Sequence, residues 1–577
     1  MKTSHILVVL SWLALSATTW ANSFYVSTTG SSSGNGTVSN PWNLQTALNH
    51  PVSVVAGDTI FISEGTYKGH YTSKLTGTSA KPIRIMPYNQ GKVVIDGNTG
   101  VSETTLTING SNAIYSNFQV TNSDKKRNFL NNNVIVCSGI DVFGPNIKLI
   151  NLLVYDNIGN GIGFWSSAID SEIYGCIIFH NGYQDSSRGH GHGIYTQNAT
   201  GTKQIRDNII FNGFQYGVHA YTEEGNITGF NIEGNICFNN GVLQKSGELK
   251  SNVLVGGLQP ANRVTIKNNH LLHPFAQTAK ALELGYGPIN ETATVTGNIL
   301  YGGNVTVKVN KWKNLTFTGN TVLSYGLLME LIVDGVDYKV YPWNNNRYFG
   351  NSTSTFSGLT YTNWKTTTGF DSQSTYTASL PSQNEVYIRP NQYQSGRATI
   401  VVYNWQKSST VQVDLSSVLT SNAGYSIYDV QNINGPAIAT GTFTGQKINL
   451  PMTLTAVAVP NGDVPNKPAH TDKDFGLFLV VSNSTSYPIP TPVPDTLEKP
   501  ISIFLNPTEK LMTVDFGDSL PENADRILIY DITGKITQDR PLASTSALKT
   551  DIDLSSLTKG VYIVKIGRFT QKIIIAR

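Results

Sequence analysis

Between Ile140 and Ser324 the chain repeats one two-clause unit, and this repetition limits the possible folds more than any other feature. The first clause is a short alternating strand: GIDVF, GIGFW, GIYTQ, GVHAY, NVLVG, ALELG and TVKVN. The second is opened by asparagine or ends in a polar turn: INLLVYDN, GCIIFHNG, NIIFNG, NICFNNG, NHLLHP, NILYGG and NTVLS. The corner residues Asn208, Asn235, Asn269, Asn298 and Asn320 are 22 to 34 residues apart, the length of one supersecondary unit stacked on its neighbours. Asparagine at the same place in each copy can bond along a stack as a ladder and tolerate unusual backbone angles. Two β clauses with asparagine corners are the coils of a parallel β-helix. Leucine-rich, propeller and helical repeats carry different signatures.

The rest of the chain is read around that core. At 577 residues it exceeds what one globular core supports. A net charge of +3 with 14% charged residues leaves no electrostatic footprint for nucleic acid or an anionic membrane. Lys2, the apolar stretch Ile6 to Leu15 and a cut after Ala21 read as a secretory signal, residues 1–21, too short to span a bilayer; no later segment qualifies as a span. Cys137, Cys176 and Cys237 are an odd set without metal-ligand spacing, expected as core thiols. The β-helix is assigned to 22–340, with PWNLQTALNH as a short capping helix. Period-two alternation from NEVYIRP to GQKINLPMT predicts an antiparallel β-sandwich within an accessory region, 341–481. A proline-rich linker, 482–498, and a last unit, 499–577, complete the chain.

FYVSTTG, GDTIFISEGTYKG and KPIRIMPYNQGKVVIDG resemble the opening of secreted pectate-lyase-like proteins, over about residues 24 to 335. This superfamily includes pectin, alginate and chondroitin lyases and several glycoside hydrolases. The resemblance implies an all-β, right-handed parallel β-helix and leaves the substrate open, because these motifs build the first coils. In the last unit, LNP, IYDITGK and DLSSLTKGVYIVKI resemble the C-terminal sorting domain of type IX secretion in Bacteroidetes, an immunoglobulin-like module. That likeness implies export by the type IX machinery and a secreted or cell-surface location.

Aligning the first clauses predicts which residues share a surface row, about 4.8 Å apart from coil to coil. With Ile140, Ile162, Ile194, Val218, Val253, Leu282 and Val307 inward, the next position reads Asp141, Gly163, Tyr195, His219, Leu254, Glu283 and Lys308. Two residues on, the row reads Phe143, Trp165, Gln197, Tyr221, Gly256, Gly285 and Asn310. Polar and aromatic residues fill the middle, and glycines leave room for a chain to lie there. The loop DSSRGHGHG adds Arg188, His190 and His192 beside Tyr195.

Lyase chemistry on a uronic acid needs a base for the proton beside the carboxylate, positive or donating groups for the enolate, and an acid for the leaving oxygen. Tyr195 and His219 are the expected base and acid, in either order, with Arg188 and His192 neutralising the carboxylate. Trp165, His190, Gln197, Tyr221, Glu223, Lys280, Glu283 and Lys308 are the expected substrate-binding residues. Hydrolysis is the runner-up. It needs two carboxyl groups about 5 to 9.5 Å apart, and the rows offer no adjacent pair, Glu223 and Glu224 being the best candidates. A non-catalytic glycan-binding surface protein is the third reading. No cofactor is fixed by the sequence: the neutral imidazoles of His190, His192 and His219 could bind zinc or copper, but no carboxylate or thiolate lies at an obvious ligand position. Calcium stays open, although the acidic calcium clusters and short catalytic strings of the lyase families are not visible, so no family role transfers by residue.

Overall fold

The computed structural model describes residues 21–483 apart from 99–102, 132–136, 274–278 and 352, and most of 502–575 apart from 507–509, 517–525, 532–534, 543–548 and 567–568. The expected signal segment and linker lie outside the described residues except at their inner ends. Each coil lays down three short strands, such as Ile140–Val142, Ile147–Ile150 and Leu153–Tyr155, each added in parallel to its counterpart in the coil before. Stacking yields three long parallel sheets of 12, 11 and 12 strands, a right-handed β-helix. In the first clause Ile140, Ile162, Ile194, Val218, Val253, Leu282 and Val307 form an inward column with no exposed surface. Each buried aliphatic side chain there contributes about 1.5–3 kcal/mol.

The corner asparagines form a continuous ladder. Nδ2 of Asn208 donates to Oδ1 of Asn235 at 2.9 Å, and the series runs through Asn269, Asn298 and Asn320 to Asn346. Each Nδ2 also donates to a carbonyl of an inner strand, and each of these Oδ1 atoms accepts a backbone N–H, so a fully buried amide column is satisfied. The unusual backbone angle, expected on the asparagines themselves, falls one residue earlier, on Asp207, Gly234, Asn268, Gly297, Gly319 and Asn345, with φ between 52° and 72°. The chain turns there so that the following amide points inward, and only Gly, Asn and Asp fill the position.

The coils continue beyond the expected end at residue 340. Trp343–Asn344, Arg347–Phe349, Thr355–Phe356 and Thr375–Thr377 extend the three sheets, and Asp371 accepts the last ladder bond from Asn346. The helix Tyr361–Thr368 closes this end with the buried Trp364, as Leu44–Leu48 closes the other. The regular two-clause spacing is lost here because these last coils carry the cap.

The accessory region is an antiparallel sandwich. Glu385–Pro390, Arg397–Tyr403, Phe475–Ser482, Gly424–Asp429 and Ala439–Thr442 form one sheet; Thr410–Val413 and Ile448–Pro451 form the other. Ile400, Val402, Val480, Val413 and Leu450 fill the space between them. The outer face of the larger sheet, with Val401, Tyr403, Leu477 and Leu479, packs on the third β-helix sheet against Phe179, Phe211 and Phe238. Cys176 and Cys237 are buried in the β-helix core, and none of the three cysteines forms a disulfide. Pro490–Arg577 is a separate compact unit whose antiparallel sheets bury Met512, Val514, Ile527, Ile529 and Val564. Among the described residues no helix is long and apolar enough to cross a membrane.

Candidate active site

The eleven-stranded sheet carries the aligned rows in register. Asp141 pairs with Gly163, Gly163 with Tyr195, Tyr195 with His219, His219 with Leu254, Leu254 with Glu283, and Glu283 with Lys308. Tyr195 and His219 stand on adjacent coils, half-buried, with ring centroids 5.6 Å apart. His219 is clamped between Tyr216 at 4.4 Å and Tyr221 at 4.9 Å, both nearly parallel to it. Its Nδ1 lies 3.1 Å from Nε2 of His192, so one ring donates to the other. Trp165 meets the Tyr195 ring edge-on at 5.7 Å, and Phe143 stacks on Trp165. An aromatic strip thus follows the coil axis, with Tyr286 edge-on to Tyr221 at the other end.

Burial, then the nearby Arg188 charge, lowers the His219 imidazole to about 3, and His192 is likewise held well below the ordinary histidine range, chiefly by burial. Burial raises the Tyr195 phenol above 10, assisted by the Glu223 carboxylate and opposed by Gln197. Near neutral pH the pair is therefore a neutral imidazole beside a protonated phenol. Tyr195 does not meet the requirement of the expected base, which needs nearby positive charge to ionise.

The DSSRGHGHG segment is ordered by two tight crossings. Tyr183–Gln184 and Gly189–His190 form an antiparallel hairpin, and a Cβ on Gly191 (φ 86°) would lie 2.4 Å from the Gly182 Cα. His190 stacks on Tyr183 at 4.8 Å, and its Nε2 lies 2.8 Å from Oδ2 of Asp185. Although burial alone would raise the Asp185 carboxyl, bonds from Ser187 and Arg188 and the His190 charge bring it to about 2. Asp185 is not legible from the coil rows, because its partner His190 lies within the same hairpin. The Asp-Ser-Ser-Arg turn was the available signal. Arg188 sits exposed at the hairpin tip, its Nη1 donating to the Gly189 carbonyl at 3.3 Å.

The other expected residues lie along the rows but not all at the centre. Glu283 is buried and committed to Lys280 at 3.6 Å, Lys308 at 3.7 Å and the Ser251 hydroxyl at 2.9 Å. Glu223 is exposed on the turn after Tyr221, and Gln197 donates to the Tyr195 hydroxyl at 3.5 Å. Asp141, which accepts from the Trp165 indole at 2.8 Å and from Thr104, is five coils from Glu283, roughly 24 Å. Lys203 was missed. Fully buried, it donates to the Phe164 and Trp165 carbonyls at 2.7 and 2.5 Å and lies 4.1 Å from the Phe164 ring centre, fixing the backbone under Trp165. No three His, Cys, Asp or Glu side chains among the described residues are grouped to hold a metal ion.

Residues 24–252 match the family model described as Pel9A-like, right handed beta helix region, and residues 502–576 match the secretion system C-terminal sorting domain. The first segment is thus a pectate-lyase-like β-helix region. The second is a type IX sorting domain, which directs the chain to the cell surface or the extracellular space. An uncharacterised protein of Bacillus subtilis (strain 168), YwoF, is 29% identical over 219 residues, 37% of this chain and 41% of that one, so the chain spans about two fifths of this curated relative. Among solved structures, pectate lyase Pel9A aligns with a TM-score of 0.38 at 15% identity, covering 59% of this chain and 78% of its own. A rhamnogalacturonan lyase gives 0.39 at 15%, covering 63% and 86%, and a lacto-N-biosidase from Eubacterium ramulus 0.39 at 12%, covering 62% and 67%. These are likenesses of fold.

Proposed function

We propose that the chain is an exported polysaccharide lyase that cleaves a uronic-acid-containing glycan by β-elimination in the groove over Tyr195 and His219. The observation that carries this reading is the pairing of a neutral imidazole with a protonated phenol on adjacent coils, in reach of one sugar ring. The Nε2 of His219 has no protein partner among the described residues, while Nδ1 bonds His192. With Nδ1–H donated to His192, the Nε2 lone pair faces the groove and removes the proton beside the carboxylate; Tyr195 delivers its phenolic proton to the leaving oxygen. An imidazole so depressed is a weak base. Arg188 offsets part of this on binding, because a uronate carboxylate paired with Arg188 cancels the smaller of the two causes of the depression and acidifies the proton to be removed.

The carboxylates weigh against hydrolysis: Asp141 and Glu283 are too far apart for a glycosidase pair, Glu283 is held by two lysines, and Glu223 and Glu224 stand exposed on the turn after Tyr221. The test is incubation of the full chain with a panel of uronate polysaccharides, following the ultraviolet absorbance of the unsaturated product. His219→Ala and Tyr195→Phe should each lower kcat/KM by about 10²- to 10⁴-fold. New reducing ends without absorbance would point to a hydrolase, and binding without cleavage to a glycan-binding protein; either outcome ends the lyase reading.

A further inference from the structure

The hairpin that carries Arg188 and His190 makes its fixing contacts with segments that the accessory region holds. The guanidinium of Arg127, fully buried, donates to the carbonyls of Gly182 at 2.8 Å and His180 at 2.6 Å. The backbone beside it continues the pairing: Gln184 N donates to Arg127 O at 2.9 Å and Phe129 N to Gln184 O at 2.8 Å, with Phe129 edge-on to Tyr183. Segment 124–129 is in turn bonded to the accessory loop. Oδ1 of Asp463 accepts from the backbone N–H groups of Arg127 and of Asn128, the latter at 3.0 Å. Asp463 N donates to Lys125 O at 2.9 Å, and Asn461 Nδ2 to the Asp124 carbonyl at 3.1 Å.

The opposite side of the hairpin is reached from the same loop. Asn466 Nδ2 donates to Gln244 O at 2.5 Å; Gln244 Oε1 accepts from Gln215, which also donates to Gly189 O at 2.7 Å. Next in chain, Lys245 N donates to Gln184 Oε1 at 2.8 Å. A short hairpin with little apolar surface of its own cannot hold a register alone. Here its two strands are gripped from two sides, and both grips end on residues 461–466.

We infer that the accessory loop 461–466 is a brace for the groove, with Asp463 and Asn466 as positioning residues that set Arg188 and His190 over Tyr195 and His219. Its function is to fix the catalytic geometry. The part concerning turnover rests on the lyase reading above; the bracing itself does not. The brace acts through hydrogen-bond acceptance at Asp463, so Asp463→Asn, which keeps the Oδ1 acceptor, serves as the conservative variant.

Amide hydrogen exchange on the full chain tests the brace without substrate. In Asp463→Ala combined with Asn466→Ala, exchange over residues 183–190 should speed by about tenfold or more, while Ile209–Phe211 and Ile236–Phe238 keep their protection; Asp463→Asn should restore the hairpin. On whichever uronate polymer the wild type cleaves, the double variant should lose kcat/KM by about tenfold with Tyr195 and His219 intact. Unchanged hairpin exchange, or uniform loosening of all coils, would overturn the brace. Loosening confined to the hairpin in a protein that cleaves nothing on the panel would instead keep the brace and sink the lyase reading.

Discussion

Every polar atom of the Asn269 side chain is engaged. Nδ2 donates to Ile232 O and Asn298 Oδ1, and Oδ1 accepts from the backbone and side chain of Asn235. Asn269→Ala orphans groups above and below it in a dry column, so it should destabilise the β-helix by roughly 2 to 4 kcal/mol, read as a lowered denaturant midpoint. A loss below about 0.5 kcal/mol would mean that water takes over the ladder. His219 makes a different prediction. With its imidazole at about 3 and the Tyr195 phenol above its usual 10, kcat/KM should be flat from about pH 5 to about pH 9; an acid limb centred near the ordinary histidine value would show that His219 is not the neutral base. Both residues could be placed from sequence, Asn269 from the asparagine that recurs at each corner and His219 from the outward position beside a fixed inward column. The hydrogen bond between His219 and His192 could not, since His192 lies three residues before Tyr195, the row partner of His219, and its place depends on how the hairpin folds back.

At the scale of elements, the third β-helix sheet explains a pattern that coil alignment alone leaves ambiguous. Ile177–Phe179, Ile209–Phe211 and Ile236–Phe238 are buried on both faces: Ile178, Ile210 and Cys237 point into the core, while their neighbours meet the sandwich. Such unbroken apolar triplets, IIF, IIF and ICF, are the signature of a strand covered on both sides, in contrast to the alternation of the groove sheet. The outer coat is an aromatic stack, Tyr155, Phe179, Phe211 and Phe238, with successive centroids 5.2, 5.2 and 4.9 Å apart. A chain truncated after the last β-helix strand, Thr375–Thr377, would expose this stack to water. It should aggregate or bind a hydrophobic dye strongly, whereas recovery as a soluble, dye-silent monomer would show that the sandwich is a detachable module.

Across the whole molecule, buried histidines tie stability to pH. His180 and His270 are held at about 3, by burial foremost and then by Arg127 and Arg389 respectively; burial holds His273 at about 4, against a bond to the Lys250 carbonyl. None has more than 3% of its surface exposed. Because each folded value lies below the unfolded one near 6.5, the unfolded chain takes up protons first as pH falls. The contribution is complete above that value and is lost progressively toward the folded value, roughly 2 to 3 kcal/mol per histidine by about pH 4.5. Asp156 works in the opposite direction. Burial raises its carboxyl to about 6 despite Arg127, and burial also lifts those of Asp371 and Asp474, so the folded state gains from protonating them over part of the same range; on the other side His219 and His192, depressed chiefly by burial, add to these three histidines. The net expectation is a protein most stable near neutrality whose unfolding temperature drops steadily between about pH 6.5 and about pH 4.5. Scanning calorimetry of the full chain across that range checks it: the transition containing the β-helix should move down with acid, and restoring neutral pH before unfolding should restore it. A β-helix transition that stays put to about pH 4.5 would mean that these histidines protonate within the fold, so that their burial does not exclude charge.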